Sequence, residues 1–246
     1  KQFPRAKKVS IATVAHYRAS EKRTAAQGNG SLSSARIRAY NERAKSLFLI
    51  KERYDFLKPC PCTQDAVRCG YHIVNLGFGC IYDCSYCFLQ GYANSEGIVL
   101  PVNSSDFLKK LECAIHNKKG MVRMGTGEFS DSLALDDVTG FGRMLIEFFS
   151  RLENASIELK TKSANVKGLL SLAHNRRSII AWSLNPQSII ETDEWKASSL
   201  QERLSAAKQC LDAGYLVAFH FDPIIYSEHW EREYHNLIDA LFSAVK

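Results

Sequence analysis

The sequence predicts an α/β fold, a partial (β/α)6 TIM-like barrel with a basic N-terminal extension. Three observations predict it. From residue 71 onward, short apolar runs alternate with amphipathic stretches, the pattern of a parallel sheet with right-handed crossovers. Six such units fall short of the eight that close a TIM barrel, so the barrel is expected to stay open. The runs end in polar or glycine-containing segments, at the strand ends where such folds gather their functional groups. The loop after the first run, GCIYDCSYC, sets Cys80, Cys84 and Cys87 within eight residues.

Taken in order, residues 1–58 carry 14 Lys and Arg against 4 Asp and Glu, net +10, whereas 59–246 carry 18 against 22, net −4. The chain therefore divides into a basic arm and helix, 1–58, and the barrel, 59–246. Residues 1–30 are polar and end in Gln-Gly-Asn-Gly, as in a mobile or docking arm. Ile37, Tyr40, Ala44, Leu47 and Phe48 recur near helical spacing and predict a helix over 31–57, stopped by Pro59 and Pro61. Strands are expected at 71–77, 97–102, 120–125, 156–161, 178–183 and 215–221. Helices are expected at 104–118, 136–153, 164–174, 198–213 and 228–244. Ser104 or Ser105 is the expected cap of the first helix and Ser227 of the last. Asp136 and Asp137 suit a helix first turn, and Gly214 a helix stop. Cys113 and Cys210 fall inside helices and read as small core residues.

The composition, 46% apolar and 24% charged, is that of a soluble globular protein. No run approaches the length of a membrane span, and no signal-peptide pattern opens the chain. Eight cysteines, three of them clustered, point to metal in a reducing compartment rather than to a disulfide scaffold, and a cytoplasmic location is expected. The basic leader suits a polyanion, most simply nucleic acid, and equally suits a solvated tail.

Three thiolates in eight residues can hold a metal cluster. A closed four-iron cluster takes four cysteine ligands, so three leave one iron open to a ligand. C-x3-C-x2-C differs from the paired knuckles of zinc sites and from the ferredoxin run. It resembles the signature of the radical S-adenosylmethionine (SAM) enzymes, in which an aromatic residue, here Tyr86, precedes the third cysteine. That resemblance implies a [4Fe-4S] cluster on Cys80, Cys84 and Cys87, and SAM chelated at the open iron by its amino and carboxylate groups. The remaining contacts would come from the strand ends. Glu128 would accept from the amino group, with Gly125 and Gly127 allowing close backbone approach. Lys162 would pair with the carboxylate, and Ser183 and Asn185 would bond the ribose or carboxylate. The alternative for each is an ordinary strand-end polar residue. His220 and Asp222 lie on one strand face and read either as substrate-side groups or as a structural pair. Cys60, Cys62 and Cys69 form a second group, C-x-C-x6-C, for which an auxiliary metal stays open.

From about residue 70 the chain resembles the spore photoproduct lyase family of radical SAM proteins. CIYDCSYCFLQ, FSDSLALDDVTG, LKTKSANVKGLL, AWSLNP and AGYLVAFHFDPIIYSEHWEREYHNLIDAL carry the resemblance, in the family's order and spacing. It implies reductive cleavage of SAM to a 5′-deoxyadenosyl radical that abstracts hydrogen from a damaged pyrimidine pair in DNA. It further implies an electron donor such as flavodoxin or ferredoxin and no membrane. Ser130, Lys162 and Ser183 fall on positions that contact SAM, and Tyr86 falls on a catalytic tyrosine near the cluster. The chain departs from the pattern where Glu128 replaces the hydrogen-donating cysteine and Phe88 replaces a second tyrosine. It also ends at Lys246, where the family continues. The rival readings are a radical SAM enzyme with a different substrate and a non-catalytic nucleic-acid-binding Fe–S or zinc protein.

Overall fold

The computed structural model of the chain describes residues 46–51, 55–62, 69–89 and 97–246, with Ser10 and Val67 besides. Apart from Ser10, the basic arm expected over 1–30 lies outside the described residues, as does the greater part of the helix expected over 31–57. Where that helix is described, it is replaced by strand: Leu47–Ile50 forms β1 and Leu57–Pro59 forms β2. The near-helical spacing of Leu47 and Phe48 is overridden by pairing, since β1 runs parallel to β5, Ile98–Pro101, with Phe48 opposite Val99. The boundary expected at residue 58 falls inside β2, so the main sheet begins before it.

That sheet has six strands. Its order is β10-β8-β7-β6-β3-β2, where β3 is His72–Val74, β6 Val122–Gly125, β7 Ala155–Thr161, β8 Ser178–Ser183 and β10 Leu216–His220. The β3, β6, β7, β8 and β10 strands pair in parallel; β2 pairs antiparallel with β3 at one edge. An edge strand tolerates Pro59, which has no N–H to give a second neighbour. Five of the six expected strands thus build the open barrel. The sixth, β5, leaves it to pair with β1, and a bridge from Phe78 to Val99 joins it to the segment that follows β3. Gly77 permits that approach, because a side chain there would meet the Val99 carbonyl at 3.0 Å.

The helices are α1 Ser104–His116, α2 Asp136–Thr139, α3 Phe141–Phe149, α4 Gln187–Asp193, α5 Leu200–Asp212 and α6 Trp230–Ala244. Their buried residues, among them Leu111, Leu145, Phe149, Leu204 and Leu237, meet Val74, Met124, Ile157, Leu159 and Trp182 from the outer face of the sheet. The other face of the strands carries Tyr71, Glu158, Lys160 and His220. This alternation is the period of two that a strand imposes. The helix expected over 136–153 is split at Gly140, whose φ of +63° ends α2. No helix forms over 164–174. Turns with i to i+3 bonds, Leu169 to Val166 and Leu172 to Leu169, replace it, because Asn165 spends its amide on the carbonyl of Leu133 and its N–H on Ser163. The caps also differ from expectation: Asn103 precedes α1 and His229 precedes α6. Ser199 closes a capping box with Glu202 at α5, and Gly214, φ +88°, follows that helix as expected. Among the described residues, no helix is long and apolar enough to cross a membrane.

Candidate active site

The cysteine loop, residues 79–88, leaves the end of β3 and is tied down on both sides. On one side, the Gly79 N–H donates to the Phe129 carbonyl at 2.8 Å. On the other, Asp83–Cys84 forms the short strand β4, antiparallel to β9, Glu194–Trp195, with Cys84 opposite Glu194. The Ser85 N–H reaches the Asp193 carbonyl at 2.8 Å, its hydroxyl reaches the Asp193 carboxylate, and Lys196 pairs with Asp83. The Cys87 N–H closes a turn on the Cys84 carbonyl at 3.1 Å.

None of the three cysteines is in a disulfide. Burial, reinforced by the Asp131 carboxylate, pushes the Cys80 thiol up to about 12. Burial also pushes Cys84 up to about 12, against the pull of Lys162. Such thiols become ligands when a metal displaces their protons, which pass to water. Among the described residues, no three His, Cys, Asp or Glu side chains are gathered as a ready-made metal site. The donor set nevertheless fits an iron–sulfur cluster. It offers three undisulfided thiols on one anchored loop, and the Tyr82 N–H lies 3.4 Å from Cys80 Sγ, a contact of the kind that tunes cluster thiolates.

Beside the loop lies a small cleft of about 50 Å³ whose lining includes Cys80, Thr126, Ser130, Asp131, Leu76 and Leu145. The loop after β6 forms one wall. Gly125 is obligatory there, because a Cβ would lie 1.5 Å from the Tyr71 hydroxyl. Gly127 has φ +94° and packs against Lys160. Asp131 fastens this loop to β7. Its Oδ1 accepts from the Leu133 and Ala134 N–H groups and from the Thr161 hydroxyl at 2.7 Å, and its Oδ2 accepts from the Lys162 N–H at 2.6 Å. Sequence reasoning missed Asp131. The signal available was a carboxylate beside Ser130 at a strand end.

Two buried carboxylates organise the rest. Glu194 takes the Tyr86 hydroxyl, the Asn185 amide at 2.9 Å and the Arg203 guanidinium. Burial opposes its charge, but Arg203, Lys162 and these donors outweigh it and hold the carboxyl below its ordinary range. Burial and Glu194 in turn hold the Tyr86 phenol protonated. Glu158, on β7, takes His220 Nε2 at 2.5 Å and the Tyr71 hydroxyl at 3.0 Å. Burial again opposes its charge, and the His220 bond with Lys160 and Tyr71 prevails, so its carboxyl is also lowered.

The expected site residues divide. Lys162 stands with its ammonium 5.8 Å from the Tyr86 ring centre, on the cysteine-loop side. Ser130 lines the cleft, and Ser183 ends β8, its carbonyl taken by Arg203 at 2.9 Å. Glu128 is committed elsewhere, to the Asn75 amide and Lys58 ammonium, both at 2.9 Å. Asn185 is buried, and both ends of its amide are used within the protein, by Glu194 and by the Tyr234 hydroxyl at 2.6 Å. His220 joins Glu158 and not Asp222. Among the second cysteine group, the Cys60 N–H pairs with the Tyr71 carbonyl at 2.9 Å, and burial with the neighbouring Cys62 and Cys69 raises the Cys60 thiol.

Comparison with known proteins agrees with this architecture. The family profile for spore photoproduct lyase matches residues 51–246. A spore photoproduct lyase of Clostridium acetobutylicum is 30% identical over 162 residues, 65% of this chain and 48% of that protein. One of Bacillus subtilis is 28% identical over 169 residues, 68% and 49% respectively. The chain thus spans about half the length of the curated relatives it matches. Among solved structures, a substituted spore photoproduct lyase with bound AdoMet and dinucleoside spore photoproduct superposes with a TM-score of 0.76 at 24% identity, covering 94% of this chain and 69% of that one. A spore photoproduct lyase complexed with dinucleoside spore photoproduct gives the same TM-score at 23% identity, with the same coverage. These structures share the fold.

Proposed function

The chain belongs to the spore photoproduct lyase family, and from that premise we propose that it is a radical SAM enzyme of lyase type acting on damaged pyrimidines in DNA. The observation that carries the reading is the C-x3-C-x2-C loop, pinned by backbone bonds beside a cleft whose wall carries Ser130 and Asp131. Cys80, Cys84 and Cys87 would hold a [4Fe-4S] cluster, and SAM would lie against Ser130, Lys162 and Ser183. When bound, the cluster supplies the electron that cleaves SAM and so generates the radical that removes a hydrogen atom from the substrate.

The chain's own residues bind, orient and exclude water. Lys162 faces the loop and is the available partner for a carboxylate. Asp131 holds the Lys162 backbone, so the ammonium is presented from a fixed base. Tyr86 keeps its proton on Glu194 and stands beside the thiols as the catalytic tyrosine. The lesion would have to leave the base stack to reach the strand ends beside the cysteine loop, and the basic residues of 1–58 would meet the phosphates. A flavodoxin or ferredoxin would deliver the electron, in the cytoplasm.

Glu128 supports a second reading, a related radical reaction on a different substrate. The residue at the expected hydrogen-donor position is a carboxylate held by Asn75 and Lys58, not a thiol. The test is anaerobic turnover on a panel of damaged oligonucleotides, following 5′-deoxyadenosine, methionine and released thymine. We expect SAM cleavage with poor or leaky repair of spore photoproduct. Clean, multiple-turnover repair would overturn that expectation, and no SAM cleavage on any lesion would overturn the function.

A further inference from the structure

The Glu194–Arg203 ion pair is the most deeply buried charge pair among the described residues, with both side chains fully enclosed. Burying two charges is costly, and a well-packed apolar pair would hold the core as well. The pair therefore needs an explanation other than core stability. Its contacts supply one. Arg203 uses all three faces of its guanidinium. Nη2 meets Glu194, Nη1 donates to the Ser183 carbonyl at 2.9 Å, and Nε donates to the Ser198 carbonyl at 2.8 Å. The Ser198 N–H in turn donates to the Lys162 carbonyl at 3.2 Å, and its hydroxyl accepts from the Ala164 N–H at 3.0 Å. Glu194 is paired through its backbone with Cys84 and through its carboxylate with Tyr86 and Asn185. One ion pair thus touches, directly or through one residue, the ends of β7 and β8 and the middle of the cysteine loop.

We infer that Glu194 and Arg203 are positioning residues: they lock the Cys84–Tyr86 segment to the strand ends carrying Lys162 and Ser183, so that the thiols and the proposed SAM contacts share one rigid support. The inference rests on the proposed use of that loop. Planar, forked geometry suits arginine to this task, because a single guanidinium fixes three acceptors in one plane. Both side chains of the pair are enclosed by protein. The pair acts through Tyr86 and through the backbone of residues 84, 183 and 198.

The test is amide hydrogen exchange across residues 79–89 in the whole chain, before and after anaerobic reconstitution with iron and sulfide. The variants are Glu194→Leu/Arg203→Met and Tyr86→Phe. The double variant removes both charges together and strands neither in the core; circular dichroism checks that it folds. In it the amides of residues 83–87 should exchange roughly tenfold faster or more, the loss of a charge-assisted contact expressed as local opening. Exchange in β7 should be unchanged. Tyr86→Phe removes only the phenol's bonds, to Glu194 and from Asn185, and should give a smaller rise in the same segment, so it decides the matter if the double variant does not fold. In reconstituted double variant, the change that SAM produces in the reduced protein's EPR signal should be weakened or lost. Wild-type exchange over 83–87 in both variants overturns the inference. A wild-type chain that takes up no iron would overturn the cluster reading instead, and the exchange data on the metal-free chain would still decide the positioning role.

Discussion

Two buried carboxylates of the same open barrel are built alike up to one partner. Glu158, on the inner wall, takes a tyrosine hydroxyl from Tyr71 and pairs with His220. Glu194, under the cysteine loop, takes a tyrosine hydroxyl from Tyr86 and pairs with Arg203. The inner-wall pair is part-exposed through His220, at 35% of its side chain, whereas the pair under the loop is sealed, at 0% for both side chains. The difference teaches where the fold demands constancy. The inner wall leaves its pair partly open to solvent, while the loop carrying the thiols rests on a pair closed off from it.

The largest way to break the comparison is to remove one cation from each pair. Arg203→Met leaves Glu194 charged and unpaired in the core and should cost about 3–5 kcal/mol in urea unfolding. His220→Gln leaves Glu158 a donor and partial solvent, so its cost should be near 1 kcal/mol. Equal costs would mean that burial does not separate the two sites. A finer cut compares the phenols. Tyr86→Phe and Tyr71→Phe each delete one bond to a carboxylate and should each cost about 1.5–3 kcal/mol, but only Tyr86→Phe should loosen the cysteine loop.

The acid limb of the stability curve sharpens the likeness between the two. Both carboxyls are lowered by folding, so each contributes stability that is fully present above its unfolded value, about 4.3, and is lost as pH falls through the lower folded value. Wild-type stability should therefore fall steeply below about pH 4. Glu158→Gln should flatten part of that fall. An unchanged acid limb in Glu158→Gln would show that Glu158 is not lowered. The smallest effect concerns the ligand side. Lys162→Ala should weaken SAM binding by about tenfold or more with little loss of stability, measured by calorimetric titration of the reconstituted protein.

Much of this arrangement was legible in the residues, and the illegible part has a common cause. Strands β6, β7, β8 and β10 are apolar runs whose environment is the buried sheet that the β/α alternation implies. The cysteine loop was legible because its chemistry is local, three thiols in eight residues. The strand over 47–50 was not, since its pairing with 98–101 lies about fifty residues away in sequence and outweighs the local helical spacing. The turns over 164–174 depend on Asn165 reaching the Leu133 carbonyl, a contact no window of sequence contains. The Glu194–Arg203 pair was hidden in the same way. Arg203 reads as a surface charge beside Glu202, although its spacing from Ala206, Ala207 and Cys210 sets it on the buried stripe of α5. An arginine on an apolar stripe was the available signal. Asn185 and Glu128 were placed at strand ends as expected, but their partners, Tyr234 and Lys58, come from elements far away in the chain.

The most direct test of the central claim is metal content and SAM cleavage measured together on the anaerobically reconstituted wild-type chain and Cys84→Ala. The account predicts about four irons and four sulfides per wild-type chain, with 5′-deoxyadenosine formed under reduction, and a labile or absent cluster with no cleavage in the variant. Zinc without iron in the wild type, or full iron and undiminished cleavage in Cys84→Ala, would contradict it.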